Sequence, residues 1–246
     1  FTMLLAARLG LNVPEVWNLY LPEAAFIITR FDREPGPTEP IRLHALDGIQ
    51  VLNEPAHNKY TSATLPKLKV LIGQCRNKAL ARMEVYRWIV FNTMVGNSDA
   101  HLKNISFLVD HDGKRVAPFY DLLCTAVYHT RVYSDDAVVW PNEKLASPIA
   151  GANFFSDVTY EKLIDTGIEL GLTKSTAARE VGKIVGKLQD AADEIAAKLE
   201  GIMRDPGAPQ GAPTRETMGA ETHLLRSIRK IVIADMLARV RLPTHP

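Results

Sequence analysis

The chain has 246 residues and a mass of 27.3 kDa, with 46% hydrophobic and 23% charged residues. That composition buries a sizeable core and excludes disordered, collagenous and coiled-coil classes, and the length predicts one large domain or two unequal lobes. With 29 Lys and Arg against 28 Asp and Glu, the net charge of +1 supplies no global field to draw in nucleic acid or an anionic membrane, so any polyanion site is local.

Cys75 and Cys124 have neither Cys-x-x-Cys spacing nor neighbouring histidines, and read as buried free thiols in a reducing cytosol rather than as a zinc site or a disulfide. The longest apolar runs, such as Met3–Ala7 and Ala24–Ile28, fall far short of the roughly 18 residues of a membrane helix, so a soluble protein with no membrane partner is expected. The chain starts at Phe1 and runs straight into a helical pattern that stops at Gly10, the expected look of a sequence cut from something longer. No lysine precedes Lys59, and no Gly-x-Gly-x-x-Gly or Gly-x-x-x-x-Gly-Lys loop occurs.

In chain order, Val16–Tyr20 and Ala24–Phe31 read as strands joined through Pro22-Glu23. The Pro/Gly-rich loop Glu34–Pro40 is a natural seam, dividing residues 1–33 from residues 34–246. Residues 55–83 hold Lys59, Lys67, Lys69, Arg76, Lys78 and Arg82 without an acidic residue; a solvated face is the favoured reading over a polyanion site. From Arg76 to Val95, apolar residues at three- and four-residue steps (Ala79, Leu80, Met83, Tyr86, Ile89, Val90, Met94) predict a helix buried along one stripe, ending at Gly96-Asn97. Ile105–Val109 and Arg115–Phe119 predict a hairpin around Asp110–Gly113. Helices follow from Asp157 or Thr159 to Leu170 and from Thr173 or Ser175 to about Glu200. A mobile loop is expected over Arg204–Glu216, and then a last helix with Leu224, Leu225, Ile228, Ile231, Val232 and Leu237 inward. The class is α+β, mostly α-helical.

The chemistry concentrates in Gly96-Asn97-Ser98-Asp99-Ala100-His101-Leu102-Lys103-Asn104. A hairpin carries the chain out from Asn104 and back to Asp121, which places those two side chains at one end of the strands. Such oxygen ligands suit Mg²⁺, which takes few protein ligands and fills its shell with phosphate oxygens and water. Asp99, five residues before Asn104, then sits where a base accepting a hydroxyl proton belongs. Protein-kinase catalytic loops have this Asp-to-Asn offset, and Phe119-Tyr120-Asp121-Leu122 stands in the place of their D-F-G element. His101 and Lys103 are placed to donate to a transferring phosphoryl group. A plainer reading stays open: Asp99 caps a turn, Asn104 satisfies loop backbone, Asp121 caps a helix and His101 packs in the loop. The nucleophile elbow mimicked by Gly96-Asn97-Ser98 needs a strand before its serine, where this chain has helical periodicity.

At these residues the sequence resembles the HipA-type serine/threonine kinases, the toxin halves of bacterial toxin–antitoxin pairs. The resemblance extends in order over roughly residues 4–130 through Leu9-Gly10-Leu11-Asn12-Val13-Pro14, Arg30-Phe31-Asp32-Arg33, Arg42-Leu43-His44 with Asp47, Asn58-Lys59-Tyr60 and Pro118-Phe119-Tyr120-Asp121-Leu122. It implies a two-lobed protein-kinase-like fold in which residues 1–33 are the remnant of the N-lobe and hinge, and 34–246 the helical C-lobe. It implies Asp99 as catalytic base, Asn104 and Asp121 as Mg²⁺ ligands, and ATP contacts from His101, Leu102, Lys103, Asn104, Tyr120 and Asp121. Thr29, Arg30 and Phe31 become the hinge that reads adenine through its backbone, Thr29 standing where the family more often has an acidic residue.

The implied cofactors are ATP and Mg²⁺. The implied partners are a protein substrate among translation components, such as an aminoacyl-tRNA synthetase, and a helix-turn-helix antitoxin through which alone DNA is met. The implied location is the cytoplasm. HipA-type kinases also carry a glycine-rich phosphate loop and a strand lysine ahead of the first helix here; these 246 residues hold neither, so as given they are expected to be a poor catalyst. Two rivals remain: a degenerate kinase-like module that binds the antitoxin, and a lipid-kinase-like phosphotransferase with the same Asp-x-His-x-x-Asn form.

Overall fold

Thr2–Arg8 form α1, and Gly10 ends the turn after it in the left-handed region at φ 82°. The computed structural model describes residues 1–20, 23–134, 139–205, 207–209 and 211–243. Met3, Leu5 and Ala6 of α1 are buried in the same core as the long helices downstream. Val16–Tyr20 (β1) and Ala24–Ile28 (β2) pair antiparallel, with Val16 opposite Ile28 and Tyr20 opposite Ala24. The predicted joint at Pro22 lies outside the described residues. The second strand stops at Ile28 rather than Phe31. Asp32 accepts hydrogen bonds from both Arg30 and Arg33 and folds the chain into a local turn there.

The expected seam at 34–40 is the tip of a ribbon between β3 (Arg33–Glu34) and β4 (Ile41–Arg42). His44–Asp47 form β5, which sequence patterning does not reveal because its four residues are too short for an alternation to register. Asp47 then caps α2 (Gly48–Val51) in a reciprocal capping box with Gln50. Thr64 caps α3 (Leu65–Gly73), and Asn77 caps α4 (Lys78–Met94). From Trp88 to Met94 every residue of α4 is buried, so the amphipathic stripe closes into an all-round buried end in which Asn92 and Thr93 bond back to the carbonyls of Trp88 and Ile89.

The predicted hairpin is present as β6 (Ser106–Asp110) and β7 (Gly113–Val116), with Phe107 opposite Val116 and Asp110 opposite Gly113. β5 joins it on the other side in the antiparallel order β5-β6-β7. β8 (Lys144–Ile149) and β9 (Ala152–Phe154) make a further small pair. α5 (Tyr160–Glu169) and α6 (Lys174–Arg204) match the predicted helices, α6 running four residues beyond Glu200. After an irregular stretch, in which Pro206 and Gln210 lie outside the described residues, α7 (Arg215–Ser227) continues through a π-helical turn at Ile228–Ile233 into α8 (Ala234–Arg239). About half the chain is helical, and with its small sheets it is α+β.

The basic stretch is not one open face: Lys67 pairs with Glu54, and Arg76 reaches Asp110 and Asp112 at the hairpin turn. Among the described residues no helix is long and apolar enough to cross a membrane.

α4 is locked to α6 through Glu180, whose side chain is 1% exposed and meets Arg87 at 2.6 Å and Lys183 at 2.8 Å. Burial pushes this carboxyl upward, but hydrogen bonds from Lys183 and Arg87 more than offset it and hold its pKa below the ordinary value. The contribution is therefore present above the unfolded carboxylate pKa and is lost as pH falls below it. Arg87→Met is expected to cost about 2 kcal/mol, because a buried charge loses its closest partner while Lys183 and Arg179 remain. Denaturant midpoints at pH 7 and pH 4 check this; a cost unchanged between the two would contradict the assignment.

Candidate active site at the end of the hairpin

Past α4 the backbone turns at Gly96 (φ 69°) into a loop fixed by buried amides. Asn97, 2% exposed, donates from Nδ2 to Asn92 Oδ1 at 2.7 Å and to the Asp121 carbonyl at 3.5 Å, and its Oδ1 accepts from the Asp99 backbone N–H at 3.1 Å. One buried side chain thus links the end of α4, the residue read as base and the residue read as metal ligand. Ser98 donates its backbone N–H to Thr125 Oγ1 at 2.7 Å, with the two hydroxyls 2.8 Å apart. The serine is occupied as a structural clasp, preceded by helix.

Asp99 and Asn104 are brought together across a 3₁₀ turn, Leu102–Asn104. Asn104 Nδ2 donates to the Asp99 carbonyl at 3.0 Å, and the His101 backbone N–H reaches the same oxygen at 2.9 Å. Those bonds leave the Asp99 side chain, 41% exposed, free to face outward. Its Oδ1 accepts a short hydrogen bond from the Tyr60 hydroxyl, which pushes the phenol pKa up to about 12. His101 Nε2 lies 3.8 Å from the same oxygen, yet burial, with Lys59 nearby, lowers the imidazole pKa against the opposing pull of Asp99 and Asp121. The ring is therefore neutral at pH 7, and the pair is not an ion pair. His101 packs edge-on against Tyr60 with centroids 5.1 Å apart.

The hairpin returns as expected, with Ala117 N–H donating to the Ser106 carbonyl at 2.8 Å, so Asn104 and Asp121 leave it at the same end. Asp121 is exposed and holds a left-handed φ of 56°, uncommon for a residue with a side chain. Tyr120 ties the two arms: its hydroxyl donates to the Lys103 carbonyl at 2.7 Å and lies 2.8 Å from Ser106 Oγ. Phe31 stacks on Tyr120 at 5.5 Å and 21°, bringing the predicted hinge to this end. Thr29 and Arg30 are exposed; the Thr29 N–H is bonded to the Glu15 carbonyl at 2.9 Å, and Arg30 is held by Asp32. That arginine keeps the Asp32 carboxyl down at about 2. Leu102 is 1% exposed, so only its backbone can meet a ligand, whereas Lys103 is exposed.

Among the described residues no cluster of three or more His, Cys, Asp or Glu could hold a metal ion. A Mg²⁺ shared with phosphate needs fewer protein ligands. Asn104 Oδ1 and the Asp121 carboxylate have no hydrogen-bond or ion-pair partner among the described residues, while Nδ2 of Asn104 and the carbonyl of Asp121 are both fixed. Two held residues with unoccupied hard oxygens fit that role. Sequence reasoning missed Asn92, Asn97 and Thr125 as the frame of this loop; the one available signal was an amide in the last turn of α4 with a second amide just past its glycine stop.

The family model described as the HipA-like C-terminal domain matches residues 1–195. The serine/threonine-protein kinase toxin HipA of Shewanella oneidensis is 33% identical over 144 residues, 52% of this chain and 33% of that protein. The solved complex of Shewanella oneidensis HipA, HipB and operator DNA superposes with a TM-score of 0.75 at 24% identity, covering 97% of this chain and 54% of that one. The Helicobacter pylori proinflammatory kinase CtkA gives a TM-score of 0.52 at 12% identity, covering 97% of this chain and 84% of that one. The two solved structures show a kinase-like α+β fold. The chain matches between a third and rather more than half of the length of its curated relatives.

Proposed function

The chain belongs to the HipA-like C-terminal domain family, and on that premise we propose that it works as an ATP- and Mg²⁺-dependent protein serine/threonine kinase of the HipA toxin type. The observation that carries this is the joining of Asp99 to Asn104 by the amide-to-carbonyl bond at 3.0 Å, at the end of the hairpin from which Asp121 also emerges. Residues 1–33 lead into the hinge and 34–246 form the helical lobe, with α1 already seated in that lobe's core.

In this reading Asp99 accepts the proton of a serine or threonine hydroxyl as its oxygen bonds to the γ-phosphorus and the bond to ADP breaks. Asn104 and Asp121 would hold Mg²⁺, which when bound neutralises charge on the phosphate oxygens. Lys103 and the neutral His101 face the phosphates as donors, and the backbone of Thr29, Arg30 and Phe31 meets adenine beside Tyr120. The substrate would be a translation component in the cytoplasm, such as an aminoacyl-tRNA synthetase. The regulatory partner would be a helix-turn-helix antitoxin, with DNA met through it. The Shewanella relative, solved with HipB and operator DNA, supports that partner.

The test is transfer from γ-labelled ATP by the full-length protein, with and without EDTA, against Asp99→Ala. Equal transfer by the two removes Asp99 from the mechanism. Absence of both transfer and nucleotide binding by calorimetry would leave the rival reading, a degenerate module holding the antitoxin.

A further inference from the structure

Beside Asp99 lies an open groove of about 630 Å³ between the start of α3 and the β8–β9 pair, with Tyr60, Thr64, Pro66, Lys144, Ser147 and Asn153 among its walls. Tyr60 belongs to both places: it lines the groove, and its hydroxyl is bonded to the Asp99 carboxylate. β8 is unusual for a paired strand. Lys144 faces Phe154 and Ile149 faces Ala152, so the four residues between slip out of register against the single residue Asn153. Pro148 in this slip has no N–H to offer, so an extended segment added along β8 would pair with the backbone of Leu145 to Ser147, outside the β8–β9 register. Ser147 lines the groove at this slip. It is 2% exposed, and its hydroxyl has no hydrogen-bond partner among the described residues, an arrangement that costs free energy until something bonds to it.

We infer that this groove seats an extended segment of the protein substrate against β8, and that Tyr60 is a positioning residue whose phenol holds the Asp99 carboxylate until the acceptor hydroxyl displaces it. The inference rests on the kinase reading above. A phenol donating to Asp99 Oδ1 makes the same bond that an acceptor serine or threonine must make to lose its proton. His101 against one side of the ring and the Lys59 ammonium 4.7 Å from its centroid hold Tyr60 in that place. The groove gives the occupant its chemistry: a mixed wall in which Thr64, Lys144 and Asn153 stand beside the small apolar Pro66, Ala146 and Ala152, strand backbone for main-chain hydrogen bonds, and one buried hydroxyl.

The probe is total soluble protein of the source organism, labelled from γ-³²P-ATP by the full-length enzyme at increasing extract concentration. The side chains of Asn153 and Lys144 are exposed and make no hydrogen bond or ion pair among the described residues, and the one bond of Asn153 to a side chain, to Asp157 Oδ2 at 3.1 Å, comes from its backbone N–H, so Asn153→Trp and Lys144→Glu change the groove without touching the core. Asn153→Trp is expected to raise the half-saturating extract concentration at least about tenfold, the loss of a central interface contact, while ATP binding by calorimetry stays at the wild-type value. Tyr60→Phe removes the competing donor and is expected to lower it about fivefold, one hydrogen bond's worth, which a merely structural tyrosine would not do. Wild-type half-saturation in both groove variants overturns the groove, and an unchanged or raised value in Tyr60→Phe overturns the displacement. If the wild type labels nothing in the extract and binds no ATP, the kinase reading itself has failed; equal labelling by wild type and Asp99→Ala removes only Asp99.

Discussion

Asp99→Ala is expected to lower phosphoryl transfer by about 10²- to 10⁴-fold, the range of positioned general-base help. The fold should be nearly unaffected. What the surrounding loop takes from Asp99 is its backbone: the carbonyl receives Asn104 Nδ2 and the His101 N–H, and the N–H bonds to Asn97. The side chain is 41% exposed, and its one hydrogen-bond partner among the described residues is Tyr60. Alanine therefore removes the reacting carboxylate and leaves the backbone cradle, so nucleotide binding and melting temperature should stay at wild-type values. Asp99→Asn separates the base from the hydrogen bond, since an amide oxygen can still accept from Tyr60 but takes no proton. Transfer by Asp99→Asn within threefold of wild type would eliminate the base role. A fall of the melting temperature in parallel with activity would instead make Asp99 the turn cap of the plainer reading.

The geometry of the candidate site was legible in the sequence because it is local. The five-residue step from Asp99 to Asn104 is closed by one 3₁₀ turn, and the return to Asp121 by a short hairpin whose glycine signals its own turn. What was not legible is everything that arrives from a distance. Tyr60 reaches Asp99 across 39 residues, and Thr125 reaches Ser98 across 27. Nothing in periodicity encodes such pairings, because each depends on how α3, α4 and the hairpin pack. The long helices α4, α5 and α6 were legible from apolar spacing and capping threonines. The two- to six-residue strands β3, β4, β5, β8 and β9 were not, since so short an element shows no period to read. The π-helical turn at Ile228–Ile233 was hidden for the opposite reason: one extra residue per turn leaves the helical pattern looking continuous.

That π turn bears on the site through Gly96, and the second large effect is expected there. Gly96 holds φ at 69°, where a side chain costs about 1 kcal/mol. A Cβ built on it would lie 2.6 Å from Val232 Cγ1, inside the π turn, and 2.9 Å from Ala126 Cβ. Both neighbours are fully buried and have no room to retreat, so overpacking adds about 2 kcal/mol more. Gly96→Ala should then destabilise by about 3 kcal/mol and lower the melting temperature by about 6 to 12 °C for a chain of this size. The Gly96 carbonyl also accepts from the Ala126 N–H at 3.0 Å, so any shift that relieves the clash pulls on the Thr125 clasp of the candidate-site loop. Val232→Ala opens the space without altering the backbone. In the double variant, part of the Gly96→Ala loss should return while the part due to positive φ remains, a non-additivity that thermal melts of the two single variants and the double variant can read. Strict additivity would show that the cost lies in the backbone alone and that the π turn does not press on the loop.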